Sequence, residues 1–361
     1  MTSPLHTEQN NQEIELKLSL DATQLAPFKR LMARRRVVPT THKLLTRYFD
    51  TPDFALGDLG VALRVRRVGR RWIQTLKSEG ESHGGLSVRA EFESLVPSGA
   101  LDFSRFPDEA LTRIPPSLIA NLVPMFETRF TRVAWLLRNR SGAAIEVALD
   151  VGGIYAGGRV QALCEVELEL KSGRPEALVE TGLVLMEHIS LLPLNISKAE
   201  RAIQLARGVE TTPVRAHAIK LKRTMTVEEG FAAICHECLA QFQANLPGLL
   251  QDDDPEYLHQ ARVALRRLRA SLRLFRRVCP LSDTGLQQSL RSWGEVMGRA
   301  RDWDVLCRET LPTIAPYYSD QEVWAHLPMA PKRSKKMHGK RCATRSLSPI
   351  RGVCYCNSNV G

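Results

Sequence analysis

Between residues 13 and 171 charged and apolar side chains alternate one for one in run after run, and this alternation limits what the chain can fold into more than any other feature. In an extended strand successive side chains point to opposite faces. Glu13, Glu15 and Lys17 therefore share one face, and Ile14, Leu16 and Leu18 the other. The same sorting sets Arg64 and Arg66 against Leu63 and Val65, and Glu165, Glu167 and Glu169 against Val166, Leu168 and Leu170. Thr75 with Lys77, Arg89 with Glu91, and Glu146 with Asp150 repeat it. Runs at 13–20, 62–67, 71–77, 86–96, 130–137, 144–150 and 163–171, separated by turn residues, predict an antiparallel sheet. Helical segments interrupt it at 21–35, where Asp21 serves as N-cap, and at 174–189.

Alternation of this kind ordinarily marks the solvated face of a half-buried sheet, and any single strand here fits that reading. The charge, however, is sorted by strand, some offering two acids and others two bases. A sheet closed with that face inward would enclose opposed acidic and basic groups, which suits a divalent metal and a polyanion.

From about residue 226 the period changes to 3.6, with patterns over 227–245, 255–278 and 285–309 that predict an all-helical second domain. Residues 208–225, with Thr211, Thr212 and Pro213, read as a linker. On the 255–278 helix Leu258, Ala261, Leu265, Leu268, Leu272 and Phe275 form an apolar face. His259, Arg262, Arg266, Arg269, Arg273 and Arg276 recur at the same spacing beside it, a line of cations about 25 Å long. A basic stripe is usually a solvated face balanced by acids one turn away. This one is nearly free of acids, which favours a polyanionic partner. No aromatic residues interleave with the arginines, so single-stranded nucleic acid has no stacking platform. Cys235 and Cys238 form a C-x-x-C pair with no second pair of matching spacing, and read as packed helical thiols rather than half a zinc site.

The net charge is +11, but eight of the cations lie between residues 329 and 361 without a single acid, which leaves +3 for residues 1–328. The body is therefore no general nucleic-acid magnet. Residues 1–12 are polar and expected to be disordered. Residues 328–361 read as an unstructured basic tail, with RNA or membrane binding as the functional alternative. The eight cysteines are scattered and no apolar leader precedes them, which points to a cytoplasmic protein with reduced thiols. No run approaches the roughly 18 apolar residues of a membrane span.

The E-x-E-x-K run of Glu13, Glu15 and Lys17 resembles the signature of the CYTH, or triphosphate tunnel, family. Further matches follow in order. They are Tyr48 to Pro52, Leu56, Gly60, Arg64 and Arg66, Trp72 to Lys77, Arg89 and Glu91, Phe130 to Arg132, Glu146 to Asp150, Cys164 to Glu169, and Ser197 to Arg201. The resemblance covers residues 13–207 and implies an eight-stranded antiparallel closed β-barrel with flanking helices. Basic side chains inside it would bind a linear triphosphate and acidic ones a divalent metal, Mg²⁺ or Mn²⁺. Carried over by position, Lys17, Arg64, Arg66, Lys77, Arg89, Arg132, Lys198 and Arg201 are phosphate ligands, and Glu13, Glu15, Asp150, Glu165 and Glu167 hold metal. Glu13, Glu15 and Lys17 form the catalytic group, the base being a carboxylate (Glu13, Glu15 or Glu165) or metal-activated water. Glu91, Glu146 and Glu169 face the same side as support.

His259 to Arg269 and Gly298 to Leu306 resemble the CHAD domain, a helical module linked to polyphosphate binding. That resemblance covers 226–327, and a second helical bundle with its own histidine is not found, so the module reads as partial. His259, Arg262, Arg266, Arg269 and Arg273 are its polyphosphate-binding candidates. Together the resemblances imply an α+β protein hydrolysing tripolyphosphate. A hydrolase or cyclase acting on thiamine triphosphate or ATP, or a non-catalytic polyphosphate binder, are the alternatives.

Overall fold

The computed structural model describes residues 12–78, 80–139, 142–280 and 284–317. The N-terminal segment up to residue 11 and the basic tail of 328–361 lie outside the described residues. The chain divides after Glu210 into two compact units.

The first unit is built on ten strands: β1 (Gln12–Leu20), β2 (Thr40–Asp50), β3 (Val61–Val68), β4 (Arg71–Ser78), β5 (Glu81–His83), β6 (Leu86–Val96), β7 (Val123–Arg138), β8 (Ala144–Ala156), β9 (Arg159–Ser172) and β10 (Leu191–Pro193). Eight of them run β1-β9-β8-β7-β2-β3-β4-β6, and β6 pairs back onto β1 from Gln12–Ala90 to Leu16–Leu86, which closes the barrel. The short β5 and β10 add to β6 and β1 at the margins. Every pairing is antiparallel.

Closure works because the outward faces are covered. Helices α1 (Leu25–Ala33) and, further along, α5 (Glu176–Met186) place Phe28, Met32, Leu178 and Leu185 on Leu18, Leu149, Val166 and Leu168. Between β2 and β3 runs the short α2 (Ala55–Asp58), and between β6 and β7 run α3 (Asp108–Leu111) and α4 (Pro116–Ile119). Leu56, Phe106, Ala110 and Ile114 from this region cover Leu63, Leu76 and Phe92. Each such leucine withdrawn from water contributes about 1.5–3 kcal/mol. Much of the hydrophobic core thus lies outside the barrel wall and leaves much of the interior face to charge. The expected strands are all present, but β2 lies between the expected runs, β7 starts seven residues before its run, and β8 continues past Asp150.

Helix α6 (Lys198–Arg207) ends the barrel unit. Ser197 caps it in a reciprocal box with Glu200, and Gly208 closes it in the left-handed conformation at φ 65°.

The second unit contains α7 (Val227–Gln251), α8 (Pro255–Phe275) and α9 (Thr284–Val305), a π turn over Leu306–Thr310 and the short α10 (Leu311–Ile314). A Thr226/Glu229 capping box starts α7, and Asp254 with Pro255 at the first helical position starts α8. The expected stop near 245 is overridden, because α7 continues through Pro247. Leu246 and Leu249 are buried there, and the ring of Tyr257 lies so close to Gly248 that a Cβ would sit 2.1 Å from it. Packing outweighs the lost proline N–H. Cys235 and Cys238 pack with Phe231, Leu268 and Leu272, as expected of structural thiols. The stretch expected as a linker is not a free tether over its whole length. Asn245 accepts from Val214 N at 3.0 Å and donates to Val214 O at 2.9 Å, and the Tyr257 hydroxyl donates to Thr211 O at 2.6 Å. No helix among the described residues is long and apolar enough to cross a membrane.

Candidate functional site

The interior of the barrel holds a cavity of about 200 Å³. Lys17, Arg64, Arg66, Lys77, Arg89, Arg132 and Lys198 line it, together with Glu13, Glu15, Glu91, Glu146, Glu167 and Glu169. These include most of the residues singled out from the sequence. Four polar lining residues were not named as site candidates: Tyr48, Glu93, Lys171 and Ser197. Glu93 was within reach of the same argument, being two residues beyond Glu91 on the same face of β6.

Register explains how acids and bases meet. Lys17 on β1 faces Glu167 on β9, which faces Ala148 on β8. One rung further, Ser19, Glu165, Asp150 and Arg132 stand side by side across β1, β9, β8 and β7. Lys198, at the first position of α6, reaches this rung from the side. A cation there opposes the positive end of the helix dipole, and three carboxylates offset that cost. Lys198 Nζ lies 2.8 Å from Asp150 and 2.7 Å from Glu167, and against Glu165. Arg132 grips Asp150 with two parallel bonds of 2.8 and 2.7 Å and also reaches Glu167. Arg201, one turn along α6 from Lys198, donates to Glu165 at 2.8 Å.

Asp150, Glu165 and Arg201 are thus held behind the lining bases rather than on the cavity wall. Asp150 and Glu165 are 0% and 1% exposed, so these charges survive only as a network. Burial pushes the Glu165 carboxyl above its ordinary pKa despite Lys198. Burial acts the same way on Glu167, but Lys198, Arg132 and Lys17 outweigh it and hold that carboxyl well below the usual range. Desolvation opposes the charge on Lys198 too, yet Asp150, Glu165 and Glu167 keep its pKa raised.

Across the lumen the pairing is looser. Lys77 bonds Glu13 at 2.5 Å and Glu91 at 3.1 Å, Arg64 meets Glu91 at 3.2 Å, and Arg89 approaches Glu15 at 3.4 Å. Lys17 is paired with Glu15. The Nε atoms of Arg64 and Arg89 are buried without a hydrogen-bond partner, donors that an anion in the cavity could use. Arg66 differs from all of these, because it makes no ion pair among the described residues. It donates to Thr46 Oγ1 at 3.0 Å, and burial, then Arg64 and Arg132, push its pKa down to about 10.

Five carboxylates were expected to hold metal together. Asp150, Glu165 and Glu167 do come together, with one oxygen from each within 4.8 Å of the others. Glu13 and Glu15 do not join them, because the β1 register sets Lys17 opposite Glu167 and Ser19 opposite Glu165. The trio offers only hard carboxylate oxygens and fits a divalent cation of the Mg²⁺ or Mn²⁺ kind.

In the helical unit the apolar face of α8 is buried as expected, from Leu258 through Leu272. Arg266, Arg269, Arg273 and Arg276 line an open cavity of about 420 Å³ with Arg291 of α9. His259 and Arg262 do not line it. Arg262 instead turns its guanidinium to the Gly294 carbonyl at 3.4 Å.

A CYTH-domain family model matches residues 11–203, more than half of the chain, and the chain belongs to that family. A CHAD-domain model matches 233–345 and so runs beyond residue 327 into the stretch read from composition as a tail. The chain is similar to the inorganic triphosphatase of Haemophilus influenzae, 32% identical over 200 residues, which cover 54% of this chain and 55% of that protein. It therefore spans about half the length of the curated relative it matches. Among solved structures it is similar to a Hippeastrum adenylyl cyclase candidate reported to have a dominant triphosphatase activity. The identity is 22% over 56% of this chain and 98% of that one, with a TM-score of 0.42. The CHAD domain of Ricinus communis is 43% identical over 28% of this chain and 35% of that one, with a TM-score of 0.27.

Proposed function

We propose that the barrel hydrolyses a linear triphosphate, with inorganic tripolyphosphate as the substrate and Mg²⁺ or Mn²⁺ as cofactor, and that the basic groove of the helical unit binds long-chain polyphosphate. The observation that carries the reading is the sorted lumen, in which bases able to grip phosphate oxygens face a buried carboxylate trio. The similarity to the Haemophilus influenzae enzyme supports it.

In this reading Lys17, Arg64, Arg66, Lys77 and Arg89 bind and orient the phosphate chain, with Arg132 and Lys198 completing the grip. Asp150, Glu165 and Glu167 would hold the metal, with Glu13 and Glu15 facing the substrate from β1. The metal, when bound, supplies Lewis-acid stabilisation of charge on the phosphate oxygens. A divalent ion would also satisfy the carboxylates that now engage Lys198 and Arg132, which frees those cations for substrate. Hydrolysis adds one water across one anhydride bond. The water oxygen bonds to phosphorus, the bridging bond breaks toward the pyrophosphate, and the guanidinium groups stabilise the charge that gathers on it.

Phosphate release from tripolyphosphate by the full chain, with Mg²⁺ or Mn²⁺ and then with a chelator, tests this. Metal-dependent turnover, abolished by chelation and by Asp150→Asn, is expected. A folded chain that releases no phosphate with either metal would refute the assignment.

A further inference from the structure

The helices cover the outer wall of the barrel unevenly. Val133, Leu149 and Val166 stand in register on the outward side of β7, β8 and β9, in the cluster that holds Phe28 and Met32 of α1. One outward rung further, Val151 and Cys164 are only partly buried, and Lys43 on β2 is exposed. On the next rung Arg67, Leu45, Arg129, Gly153 and Ala162 stand side by side from β3 to β9, and both arginines are exposed. Arg47, two residues beyond Leu45, is exposed on the same side. Lys43, Arg47, Arg67 and Arg129 thus share one bare face of the wall. Neighbouring strands lie about 4.8 Å apart, so Arg67 and Arg129 are about 10 Å from each other across it.

Helix α1 borders this face and is basic on its own outer side. Lys29, Arg30, Arg34, Arg35 and Arg36 are exposed and make no ion pair among the described residues. A cation or two in the last turn complements the helix dipole, and a solvated helix face normally balances the rest with acids one turn away. Here no Asp or Glu occurs between Asp21 and Asp50. On the bare wall the acid is Glu127, which Arg129 engages. Arg36 ends the helix in the left-handed region at φ 55°, Val37 turns into the core, and Val38 is left 89% exposed. On the far side of the face the β8–β9 hairpin leaves Val160 64% exposed. Arg47 and Val160 also line an open hollow of about 430 Å³ together with Met125 and Tyr155.

We propose that this outer face docks the barrel unit on the surface of an anionic lipid bilayer. None of its cations lines the lumen cavity, so the inference stands apart from the triphosphatase reading. Three features favour a bilayer over a nucleic acid. The cations spread in two dimensions over a helix and a strand wall, which matches a planar array of headgroups. Exposed valines frame them on both sides, and an apolar tip beside a basic face enters the boundary between headgroups and acyl chains. The aromatic ring on the face offers no open stacking platform, because Tyr155 lies against Gly153 with the Arg129 guanidinium 5.0 Å from its centroid. The hollow beside Tyr155, with a free arginine and an apolar lining, suits one phospholipid headgroup.

The test mixes the full chain with vesicles of equal parts phosphatidylserine and phosphatidylcholine, with vesicles of phosphatidylcholine alone, and with a single-stranded RNA oligomer. Co-sedimentation or gel shift measures binding, and hydrogen exchange of the amides of residues 33–40 reports whether this face is the one engaged, apart from the basic groove of α8. Anionic vesicles are expected to bind and to protect 33–40, and both effects should weaken as salt rises. Each cation near an anionic leaflet is worth roughly 5-fold in binding. Changing Arg34, Arg35 and Arg36 together to Glu should therefore weaken it at least roughly 100-fold and abolish the protection, with thermal unfolding unchanged. Val38→Asp should weaken binding and Val38→Leu should preserve it. A double change of Arg266 and Arg269 to Glu should leave the protection of 33–40 in place. Equal binding to neutral vesicles, binding without protection of 33–40, or a triple variant that binds like wild type would overturn the proposal. So would protection of 33–40 by RNA at lower concentration than by anionic vesicles, which would make this a nucleic-acid surface instead.

Discussion

The barrel lumen and the α8 groove use the same residue types under opposite conditions. In the lumen every lining cation except Arg66 touches a carboxylate, and Glu15, Lys17, Arg64 and Lys198 are buried. On α8 the arginines at 266, 269, 273 and 276 are exposed and make no ion pair among the described residues. In the proposed reading the lumen accepts an anion largely by exchanging internal partners, and binding there is tied to a metal that engages the carboxylates. The groove is charged from the outset, and in the same reading it attracts any polyanion, with an attraction that salt screens.

The largest effect that would sharpen this contrast comes from Lys198. Replacing it by Met leaves Asp150, Glu165 and Glu167 facing one another with Arg132 and Arg201 as their remaining cations. Removing one partner of a buried charge network costs about 3–5 kcal/mol, and the loss should appear in unfolding of the metal-free protein. Mg²⁺ or Mn²⁺ should restore much of that stability by replacing the missing cation. The matching change on α8, Arg269→Ala, should move stability by less than about 0.5 kcal/mol. Equal losses at both sites would erase the distinction.

Much of this contrast was legible in the sequence, for an identifiable reason. Charged-in and apolar-out alternation holds on β1, β3 and β9, where the wall has a charged lumen on one side and a helix on the other. It fails on β2 and on the first half of β7, because Leu44, Tyr48, Phe126 and Phe130 turn apolar side chains inward. This apolar cluster was out of reach for the same reason. The union of Lys198 with Asp150 and Glu165 was equally out of reach, since it depends on how α6 returns to the barrel across more than thirty residues. On α8 the stripe was read correctly as a stripe. That His259 and Arg262 leave the groove depends on α9, whose position no helical wheel contains.

Arg66 offers a second way to break the comparison, since it is the lumen cation that behaves like a groove cation. Arg66→Gln removes a desolvated, unpaired charge, so stability should hold or rise slightly. Affinity for tripolyphosphate should fall roughly 10- to 100-fold through loss of charge-assisted hydrogen bonds. Steady-state kinetics beside thermal unfolding separates the two. A variant that loses stability while keeping its KM would show that Arg66 supports the wall rather than the substrate.

In the groove, changing Arg266 and Arg269 together to Glu should abolish long-chain polyphosphate binding at moderate salt while leaving tripolyphosphate turnover unchanged. Wild-type affinity should decline steadily as salt rises, through screening and counterion release. Salt-independent binding, or loss of turnover in the double variant, would mean that the two units do not divide the work in this way.

The smallest expected effect concerns Glu169, near the lumen carboxylates Glu13 and Glu146. Burial first, and then those two neighbours, raise its pKa above the ordinary 4.5, although Lys171 works against them. Between 4.5 and that raised value the folded chain binds more protons than the unfolded one. Stability contributed by this residue therefore falls as pH rises through the window, and the charged carboxylate is a liability above it. Glu169→Gln removes the titration, so the variant should be slightly more stable than wild type at neutral pH without metal. The advantage should shrink as pH drops through the window and vanish below 4.5. Glu167 carries the opposite sign, its pKa being held well below the ordinary value by Lys198, Arg132 and Lys17 against the effect of burial. Its contribution is present above that value and lost only as pH falls through the depressed pKa. Glu167→Gln should therefore be less stable than wild type at neutral pH, with a gap that closes only at more acidic pH. Denaturant unfolding of both variants across this range decides the matter: parallel pH profiles for the two would show that the lumen does not sort its carboxylates by environment.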